Sequence, residues 1–484
     1  MTFRTGAKTN VLLIGGGGRE HAIASRLVRS PSLGTLFVTH PENPGLAALG
    51  QAVDVPVSAR EIYRLVQFCD RHAIGLVVIG PEDPLAEGFA DALRSDTRVV
   101  FGPGKDGARL EADKAWCKQL LRGASVPQAD GRTFTDAAQA IRYIETRAIE
   151  DEILVRFFER AAQYPDPEIR RKWIERERDA SREIRAAFAA TRTDLPVIKA
   201  SGLAKGKGVV VPSTLDEAID AVHRIMVRRE FGDAGRAVVI EERLSGPEVS
   251  VLAITDGRTL TTLPVCQDHK RLRDGGQGPN TGGMGAFLPS TLLTETQIAE
   301  IERDILVPTL DALRREGVDY RGVLYAGLML TPGGPKVLEF NCRFGDPECQ
   351  ALMACFEGDL LELFGLAASR RLDEASFAFR DEASCCVVLA AEGYPEKPRS
   401  GDAIEGLDKA GAQPGVEIFH AGTRRAPDGS IVTSGGRVLN ITATAPNIEA
   451  ARERAYAAVR CISFRGMQHR TDIGAPAPTP AVKA

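Results

Sequence analysis

The sequence carries no surplus of charge of either sign. Its 61 Lys and Arg residues nearly balance its 65 Asp and Glu residues, which gives a net charge of -4. A protein whose main partner is a nucleic acid usually carries a basic surplus, because the phosphate backbone must be neutralised. We therefore expect small molecules, and no nucleic acid, as the partners of this chain.

Long apolar segments and patterned cysteines are missing too. The apolar run Val11–Ile14 stops at four glycines, which is too short for a signal peptide, and no segment reaches the roughly 18 apolar residues of a membrane span. The nine cysteines include no CxxC pair, a pattern typical of free thiols in a reducing compartment rather than of a zinc site or disulfide framework. The sequence predicts a cytoplasmic protein with no membrane contact.

Aromatic residues make up only 6% of the chain, whereas glycine accounts for 48 of 484 residues. Without a collagen-like period, so much glycine indicates tight turns or places where the backbone approaches a ligand closely. In the first hundred residues, short apolar runs alternate with helical stripes, one of which is Leu85, Phe89 and Leu93. This alternation predicts a parallel sheet, whose ligands bind at the carboxyl ends of the strands. Gly15–Gly18 and Gly80–Pro84 lie at such ends.

Beyond this region the pattern changes. One helix is predicted over about 108–122. The segment 150–192 holds ten basic and ten acidic residues, and a helical stripe of apolar side chains predicts a helical insertion there. The members of that stripe are Ile169, Trp173, Ala180, Ile184 and Phe188. A strand-rich middle part follows, and a smaller α+β region begins near residue 372.

Two glycine loops resemble well-known nucleotide motifs but fit neither. The turn Gly15–Gly18 lacks the last glycine of GxGxxG, so a phosphate cradle is favoured over an NAD site. The loop 199–208 is one residue short of a P-loop, and Gly208 stands where Ser or Thr should be. Its flanking strands predict a glycine-rich flap over phosphates. A tight turn without ligand and a solvated basic turn remain the respective alternatives.

A third cluster lies at 337–348, VLEFNCRFGDPE. On a strand, Glu339, Asn341 and Arg343 would share one face. A carboxylate and an amide oxygen suit Mg²⁺ that carries nucleotide phosphates, and the guanidinium could hold a carboxylate or phosphate. The alternative is a polar strand edge facing solvent. The stretches Asp268–Arg271 and Gly278–Gly285 are further candidates, with a mobile surface loop as the alternative for each.

Together these segments resemble the phosphoribosylamine–glycine ligase (glycinamide ribonucleotide synthetase) family, ATP-grasp enzymes of purine biosynthesis. The resemblance runs in order along almost the whole chain, and only about 150–192 and the tail lie outside it. The matching segments include GGGGREHA at 15–22, IGPEDPLAEG at 79–88, LEADKAWCK at 110–118, GLAKGKGVVV at 202–211, QDHKR at 267–271, GPNTGGMG at 278–285, VLEFNCRFGDPE at 337–348, GGRVLNITA at 435–443 and HRTDIG at 469–474.

The resemblance implies a multidomain α/β and α+β fold. Its parts would be a Rossmann-like parallel-sheet domain for phosphoribosylamine at 1–108, an ATP-grasp domain at 109–370 with a mobile lid at about 126–245, and an α+β domain at 371–484 with a frayed tail. The insertion would fall within the lid, with a solvated helical hairpin as its simplest interpretation. The chain ends soon after HRTDIG, so no fused downstream enzyme is expected.

The implied reaction joins glycine to 5-phosphoribosylamine with ATP, through glycyl phosphate, and gives glycinamide ribonucleotide, ADP and phosphate. Mg²⁺ or Mn²⁺ would be the cofactor, and the chain would be a monomer or a dimer. The alternatives are another ATP-grasp carboxylate–amine ligase or a carboxylase, and a non-catalytic nucleotide-binding protein. A dehydrogenase is disfavoured by the broken glycine spacing.

The resemblance also implies site residues, carried over position by position. The expected ATP-binding residues are Lys114, Lys199, Gly202, Gly206, Lys207, Gly208, Glu241, Glu242, Leu244 and Glu248. The expected metal ligands are Glu339 and Asn341, with water and phosphate oxygens completing the shell. The expected phosphoribosylamine-binding residues are Gly17, Gly18, Arg19, Glu82 and Asp83. The residues expected to act on glycine and the acyl phosphate are Asp268, Lys270, Asn280, Gly283, Arg343 and Asp346.

Five positions depart from the family pattern. Ser201 stands where the family usually has Asp, and Asp113 stands where it usually has Ser before Lys114. The others are Lys205 in place of Ala, Arg243 in place of an aromatic residue, and Glu42 in place of Gly. None of them removes an implied metal or phosphate ligand.

Overall fold

The computed structural model describes residues 3–148, 152–184, 195–204 and 207–475. The chain forms two compact units. The large unit comprises Met1–Glu111, Leu120–Pro127 and Gly246–Ala484, and the small unit comprises Ala112–Gln119 and Gln128–Ser245. The predicted boundaries near 108 and 370 stay a prediction.

A parallel five-stranded sheet begins the large unit and confirms the predicted βαβ pattern. Its strands in spatial order are Gln51–Ala52, Leu33–Val38, Thr9–Ile14, Ile74–Ile79 and Val99–Phe101. The central strands are buried apolar runs, as a sheet covered on both faces requires. Glycine turns follow two of them, so Gly15–Gly18 and Gly80–Pro84 do lie at the carboxyl edge.

The helices of this region correct two predictions. The stripe Leu85, Phe89 and Leu93 is divided between two short helices, Glu82–Ala86 and Phe89–Leu93, because Gly88 between them takes a left-handed φ of 87°. The single helix expected over 108–122 is likewise two helices, Lys105–Ala112 and Lys114–Gly123, which meet at Asp113. The remaining helices around the sheet are Gly18–Leu27, Pro44–Leu49 and Ile62–Arg71.

Two antiparallel sheets form the rest of the large unit. The first has the order Leu260–Thr262, Glu248–Thr255, Gly322–Thr331, Gly334–Asn341, and the second has the order Gln267–Asp268, Gly285–Leu288, Ala383–Ala390, Arg437–Ala445, Val416–His420. Three hairpins pair Arg271–Arg273 with Gln277–Asn280, Phe356–Gly358 with Phe377–Phe379, and Thr423–Arg425 with Ile431–Thr433. The helices are Glu295–Ile301, Val307–Arg315, Glu348–Cys355, Leu360–Ala368, Leu407–Gly411 and Ile448–Val459.

The strand that carries the predicted metal ligands ends earlier than expected. Its last residue is Asn341, so Arg343 lies beyond the strand, and its placement on the strand face is wrong. The register also shifts along this strand, because Glu339 pairs with Gly327 whereas Val337 pairs with Leu328. The extra residue is Leu338, which precedes Glu339, so the alternation from Glu339 to Asn341 is kept, and the placement of Arg343 fails only because the strand ends before it.

The small unit is built on an antiparallel sheet packed against helices. Its strands in spatial order are Gly131–Phe134, Val238–Glu241, Val197–Ala200 and Val209–Val210. Its helices are Ala137–Ala148, Glu152–Ala161, Pro167–Ala180 and Leu215–Val222. Since Val197–Ala200 and Val209–Val210 pair directly, the predicted glycine-rich hairpin between two strands is confirmed.

The helical insertion is part of the core of the small unit. Phe157, Phe158, Trp173 and Ile174 are buried there, in one cluster with apolar residues from the sheet and the other helices. The interpretation as a solvated hairpin is therefore wrong for the described residues. Ile169, one member of the predicted stripe, is instead 54% exposed, and Phe188 lies outside the described residues.

All nine cysteines lie within the described residues, where they are free, and eight of them are buried. Across the described parts of the chain, no helix combines the length and the apolar character that crossing a membrane would need.

Truncation of Phe157 tests the packing of the insertion. Phe157→Ala is expected to lower the free energy of unfolding of the small unit by about 3 kcal/mol, because it opens a cavity beside Trp173. Both tryptophans, Trp116 and Trp173, belong to this unit, so their fluorescence during urea unfolding reports on it. Ile169→Ala is the control and should change stability by less than about 0.5 kcal/mol. Equal effects of the two changes would contradict the packing described.

Candidate functional site

The glycine turn after the first strand is filled by protein side chains. A Cβ atom on Gly16 would lie 2.6 Å from the His40 ring, and one on Gly18 would lie 2.1 Å from Nδ2 of Asn440. The Gly17 N–H donates to the Glu20 carboxylate over 2.7 Å. The glycines are therefore required for packing, whatever they bind, and the roles of Gly17 and Gly18 as phosphate ligands stay a prediction.

Arg19 follows this turn directly, and its side chain is buried. It is 6% exposed, its Nε donates to Glu20 Oε1 over 2.7 Å, and its Nη1 donates to the Phe344 carbonyl over 3.0 Å. This second bond ties the start of the first helix to the segment that follows the predicted metal ligands. Contact between Arg19 and a ribosyl phosphate stays a prediction.

Arg343 lies between two carboxylates, the buried Glu111 and the half-buried Glu82. Its Nε is 3.1 Å from Glu82 Oε2, and its Nη2 is 2.6 Å from Glu111 Oε1. Burial alone would raise the pKa of Glu82, but Arg343 and Arg19 outweigh it and lower this pKa to about 2. Glu82 was predicted as a substrate residue, whereas Glu111 was missed, although it lies within the LEADKAWCK match. Asp83 follows Glu82 in the same short helix.

Each predicted metal ligand lies beside a cationic side chain. Lys270 Nζ lies 3.4 Å from Glu339 Oε1 and 3.6 Å from Glu248 Oε2. Asn341 Oδ1 is 3.5 Å from Nη2 of Arg343. Burial would lower the pKa of Lys270, but Glu339 and Glu248 raise it, so the ammonium stays charged. Glu248, which is predicted to bind ATP, and Glu339, which is predicted to bind the metal, therefore lie beside Lys270, which is predicted to act on the acyl phosphate.

The donor set fits a hard divalent cation. No group of three or more His, Cys, Asp or Glu side chains among the described residues is arranged to hold a metal. One carboxylate and one amide oxygen suit an ion such as Mg²⁺, which keeps several water ligands and also binds substrate phosphates. The chemistry of Glu339 and Asn341 fits such an ion.

Asp268 is a half-buried residue whose Oδ1 atom is buried. Burial, and then the charge of Glu348, raise its pKa well above the usual range, and its Oδ1 has no hydrogen-bond partner within the described residues. Glu348 Oε1 accepts from the Tyr325 hydroxyl over 2.5 Å, and that hydroxyl lies 2.8 Å from Ser250 Oγ. Tyr325, Glu348 and Ser250 were not predicted as site residues.

Gly283 connects Asp268 with Asp346. Its φ is +111°, and a Cβ atom there would lie 3.0 Å from Asp268 Oδ1 and 3.3 Å from the Asp346 carbonyl oxygen. Burial would raise the pKa of Asp346, but Arg437 and Arg19 lower it, so this carboxylate stays ionised. Asn280, by contrast, is exposed at the end of its strand.

Asp346 also lies near the glycine turn. A Cβ atom on Gly17 would be 3.5 Å from Asp346 Oδ2. Residues predicted for phosphoribosylamine and residues predicted for glycine thus meet at one aspartate within the large unit.

In the small unit, Glu241 is held by two lysines. Its Oε2 lies 2.7 Å from Lys199 Nζ, its Oε1 lies 3.0 Å from Lys118 Nζ, and all three side chains are buried. Lys118 was missed, although it ends the LEADKAWCK match. The carboxylate of Glu241 therefore fixes Lys199, a predicted ATP-binding residue, and each of its two oxygens has a lysine partner.

The other predicted ATP residues of this unit surround the hairpin loop. Lys114 Nζ donates to the Gly202 carbonyl over 3.3 Å, and a Cβ atom on Gly202 would be 2.6 Å from Ala234 Cα. Gly208 accepts from the Ala200 N–H, and the exposed Lys207 donates its N–H to the Ala204 carbonyl. Gly206 and the departure Lys205 lie outside the described residues.

Glu242 and Leu244 are the remaining predicted ATP-binding residues of this unit. The Glu242 N–H donates to the Asp130 carbonyl over 2.8 Å, and Glu242 Oε1 accepts from the Asp130 N–H over 2.9 Å. Leu244 is half-buried just past the strand that ends at Glu241. These roles stay predictions.

Comparison with known proteins gives the same family along the chain. Three models of phosphoribosylglycinamide synthetase match: the N domain over residues 9–111, the ATP-grasp (A) domain over 169–349 and the C domain over 384–476. A phosphoribosylamine–glycine ligase from Rhodopirellula baltica is 45% identical over 480 residues, which cover 99% of this chain and 100% of that protein.

Solved structures show the same likeness. The crystal structure of a phosphoribosylamine–glycine ligase from Thermotoga maritima matches with a TM-score of 0.70 and 30% identity, over 96% of this chain and 100% of that one. The biotin carboxylase domain of a 2-oxoglutarate carboxylase from Hydrogenobacter thermophilus, solved with MgADP and bicarbonate, matches with a TM-score of 0.67 over 97% of this chain and 92% of that one. At 16% identity the second likeness concerns the fold alone.

His21, a buried histidine of the first helix, predicts acid sensitivity. Burial, and then the charge of His420, lower the pKa of His21 to about 3. In the unfolded chain His21 takes up a proton near pH 6.5, whereas in the folded chain it stays neutral down to about pH 3. The free energy of unfolding is therefore highest above pH 6.5 and decreases as the pH falls below that value. Between pH 7 and pH 5, His21 should remove about 2 kcal/mol from the free energy of unfolding of the large unit.

His21→Asn is the matched control for this effect. The asparagine amide oxygen can still accept from the backbone N–H of His420, as His21 Nδ1 does over 2.8 Å, but the amide group does not titrate. The unfolding midpoint temperature of the variant, measured by calorimetry from pH 7 to pH 5, should fall less than that of the natural chain. Parallel curves for the two proteins would show that His21 is not the group responsible.

Proposed function

The chain belongs to the phosphoribosylglycinamide synthetase family, and we infer from this membership and from its site that it is an ATP-dependent carbon–nitrogen ligase of purine biosynthesis. It joins glycine to 5-phosphoribosylamine and releases glycinamide ribonucleotide, ADP and phosphate. The reaction passes through glycyl phosphate.

The observation that carries this proposal is the meeting of two predicted substrate groups at Asp346. Gly17 of the first turn and Gly283 of the second loop both approach this residue. A ligase must hold its amine and its acyl donor side by side, because orientation of two bound reactants supplies a large part of the rate. A carboxylase that acts on bicarbonate needs no site for a ribosyl phosphate.

The first step is transfer of the γ-phosphoryl group of ATP to the carboxylate of glycine. Such a transfer needs positioning and neutralisation of charge rather than a protein nucleophile. Lys114, Lys199 and Lys207 are the cations that we assign to the phosphates. The buried contact between Lys199 and Glu241 holds its ammonium group in one place before substrate arrives.

ATP-grasp ligases use ATP together with divalent metal ions, and here Glu339 and Asn341 would hold Mg²⁺ or Mn²⁺. The ion supplies neutralisation of phosphate charge when it is bound. Lys270 lies 3.4 Å from Glu339 and contributes a second positive charge on the same side of the strand.

The second step is attack of the phosphoribosylamine nitrogen on the carbonyl carbon of glycyl phosphate. The C–N bond forms, phosphate leaves, and the amine loses a proton. Asp268 and Asp346 flank Gly283 and offer carboxyl groups to the ammonium of glycine and to the attacking amine. Closure of the glycine flap would exclude water, which otherwise hydrolyses an acyl phosphate.

Three further predictions belong to this proposal. The chain works in the cytoplasm, it is a monomer or a dimer, and its partners are small molecules without nucleic acid or membrane.

ADP formation with each substrate alone, with both and with neither tests the function. We expect ADP and phosphate in equal amounts only when glycine and phosphoribosylamine are both present, because the acyl phosphate is consumed by the amine. ADP release that depends on bicarbonate instead would support a carboxylase. Nucleotide binding without any turnover would support a non-catalytic protein.

Glu339→Ala tests the metal ligand. Loss of one of two protein ligands should lower kcat/KM by about 100-fold and raise the Mg²⁺ concentration needed for half-maximal activity. Glu357→Ala, which removes an exposed glutamate from another strand of the large unit, is the control and should leave both values unchanged. Full activity of Glu339→Ala at limiting Mg²⁺ would remove Glu339 from the metal site.

A further inference from the structure

The loop that carries four predicted substrate residues is held by the carboxyl-terminal part of the chain. We call residues 267–285 the acceptor segment; it contains Asp268, Lys270, Asn280 and Gly283. It makes two groups of contacts with residues beyond 390, and all of these lie within the large unit.

The first group surrounds Gly282. The Gly282 N–H donates to the Tyr394 hydroxyl over 3.0 Å, and the Gly282 carbonyl accepts from Arg437 Nη1 over 2.7 Å. The same Nη1 donates to the Asp346 carbonyl, and Nη2 lies 3.4 Å from Asp346 Oδ2. Both backbone groups of one loop glycine are therefore held, and the same guanidinium holds Asp346.

The contact at Gly282 extends to Lys270. Thr281, the preceding residue, donates both its N–H and its hydroxyl to the Lys270 carbonyl, each over 2.8 Å. The Gly283 N–H donates to the Thr281 hydroxyl over 3.0 Å. Thr281 thus connects the backbone next to Gly282 with the backbone of Lys270 and with Gly283.

The second group explains the HRTDIG sequence at 469–474, to which the reaction assigns no role. Arg470, 4% exposed, donates from Nη1 to the Arg271 carbonyl over 3.2 Å. Asp472 Oδ2 accepts from the Gly275 N–H over 2.9 Å, and the Thr471 N–H donates to Asp274 Oδ1 over 2.8 Å. HRTDIG therefore holds the turn of the acceptor segment at Asp274 and Gly275, just as Tyr394 and Arg437 hold the segment at Gly282.

We propose that Arg437 and Tyr394 are positioning residues for the glycyl-transfer step, and that HRTDIG anchors the same segment at its turn. Tyr394 and HRTDIG act through the acceptor segment, and Arg437 acts through the Gly282 backbone and through Asp346. This inference rests on the proposed function, and it adds a role for the carboxyl-terminal part of the chain within that reaction.

The test compares Arg437→Met and Tyr394→Phe with Arg454→Met. Arg454 donates to the Thr444 carbonyl in the same part of the chain but lies away from the acceptor segment, so it is the matched control. Arg437→Met should raise KM for glycine about tenfold and lower kcat, while KM for ATP stays within about twofold. Tyr394→Phe, which removes only a hydroxyl group, should raise KM for glycine about threefold. Arg454→Met should change neither value.

Equal changes of KM for ATP and for glycine, or no change in either variant, would overturn the proposal. Hydrogen exchange of the peptide 278–285 gives a readout that needs no turnover. Exchange should accelerate in Arg437→Met and Tyr394→Phe but not in Arg454→Met. If the natural chain proves inactive as a ligase, this exchange result still decides whether the two side chains hold the loop.

A second, independent inference concerns the departures Asp113 and Ser201 in the small unit. Ser201 Oγ donates to Asp113 Oδ1 over 3.2 Å and accepts from the Ala115 N–H over 3.1 Å. The Ser201 carbonyl accepts from the Lys114 N–H over 2.8 Å. Asp113 Oδ1 also accepts from the Trp116 N–H over 3.1 Å, as a cap of the helix that begins at Lys114.

We propose that these two departures compensate for each other. One carboxylate and one hydroxyl face each other, and their hydrogen bond fixes Lys114 beside the start of the glycine hairpin at Gly202. Exchanging the two residue types keeps one such pair, whereas an aspartate at both positions sets two carboxylates about 3 Å apart, where they repel. Asp113 and Ser201 are thus positioning residues for a predicted phosphate ligand.

The test is a double-mutant cycle. Ser201→Asp should weaken ATP binding about tenfold, and the pair Asp113→Ser with Ser201→Asp should return it to within about threefold of the natural chain. Ser201→Asn keeps the shape of aspartate without its charge, and it should bind ATP nearly normally. KM for glycine should stay unchanged throughout.

ATP affinity is measured by equilibrium titration without turnover, so the result does not depend on the ligase assignment. A double variant as impaired as Ser201→Asp alone would falsify the compensation. A harmless Ser201→Asp would do the same.

Discussion

Arg343 and its two carboxylate partners, Glu82 and Glu111, join parts of the chain that lie 261 and 232 positions apart. All three side chains are largely buried, so each charge depends on the others for its stability. The cluster fixes the end of the strand that carries Glu339 and Asn341. It also fixes the short helix after the fourth parallel strand. The arrangement of the candidate site in the large unit depends on this ion cluster, because removing one partner would leave a buried charge unpaired.

Fixed polar contacts of this kind also hold the other parts of the site. Glu241 holds two lysines, Arg437 holds a loop glycine and Asp346, and Ser201 holds Asp113. In each case a side chain outside the reacting groups takes up one fixed arrangement before substrate binds. A site without a protein nucleophile relies on such preorganisation, since its rate comes from position and charge. The glycines serve the same end, because Gly18 and Gly283 leave space that a Cβ atom would fill.

Most of the elements could be predicted from the sequence, because buried strands and glycine turns have strong local patterns. The predictions failed where a single residue overrides the pattern. Gly88 breaks a helical stripe at a positive φ, and the strand that carries Glu339 ends at Asn341, before it reaches Arg343. The insertion was misjudged for another reason. Its charge count is that of a solvated hairpin, yet Phe157 and Trp173 are buried in the core of the small unit.

The sequence by itself determined the family, the parallel sheet, the glycine hairpin and the identity of the candidate residues, since motif spacing and periodicity are local properties. Only the tertiary structure decided which of those residues meet. It brought Gly17, Gly283 and Asp346 together, assigned Glu111 and Lys118 as partners of Arg343 and Glu241, and connected HRTDIG with a loop some 200 residues earlier. Contacts of that range depend on packing and burial, which no window of sequence contains.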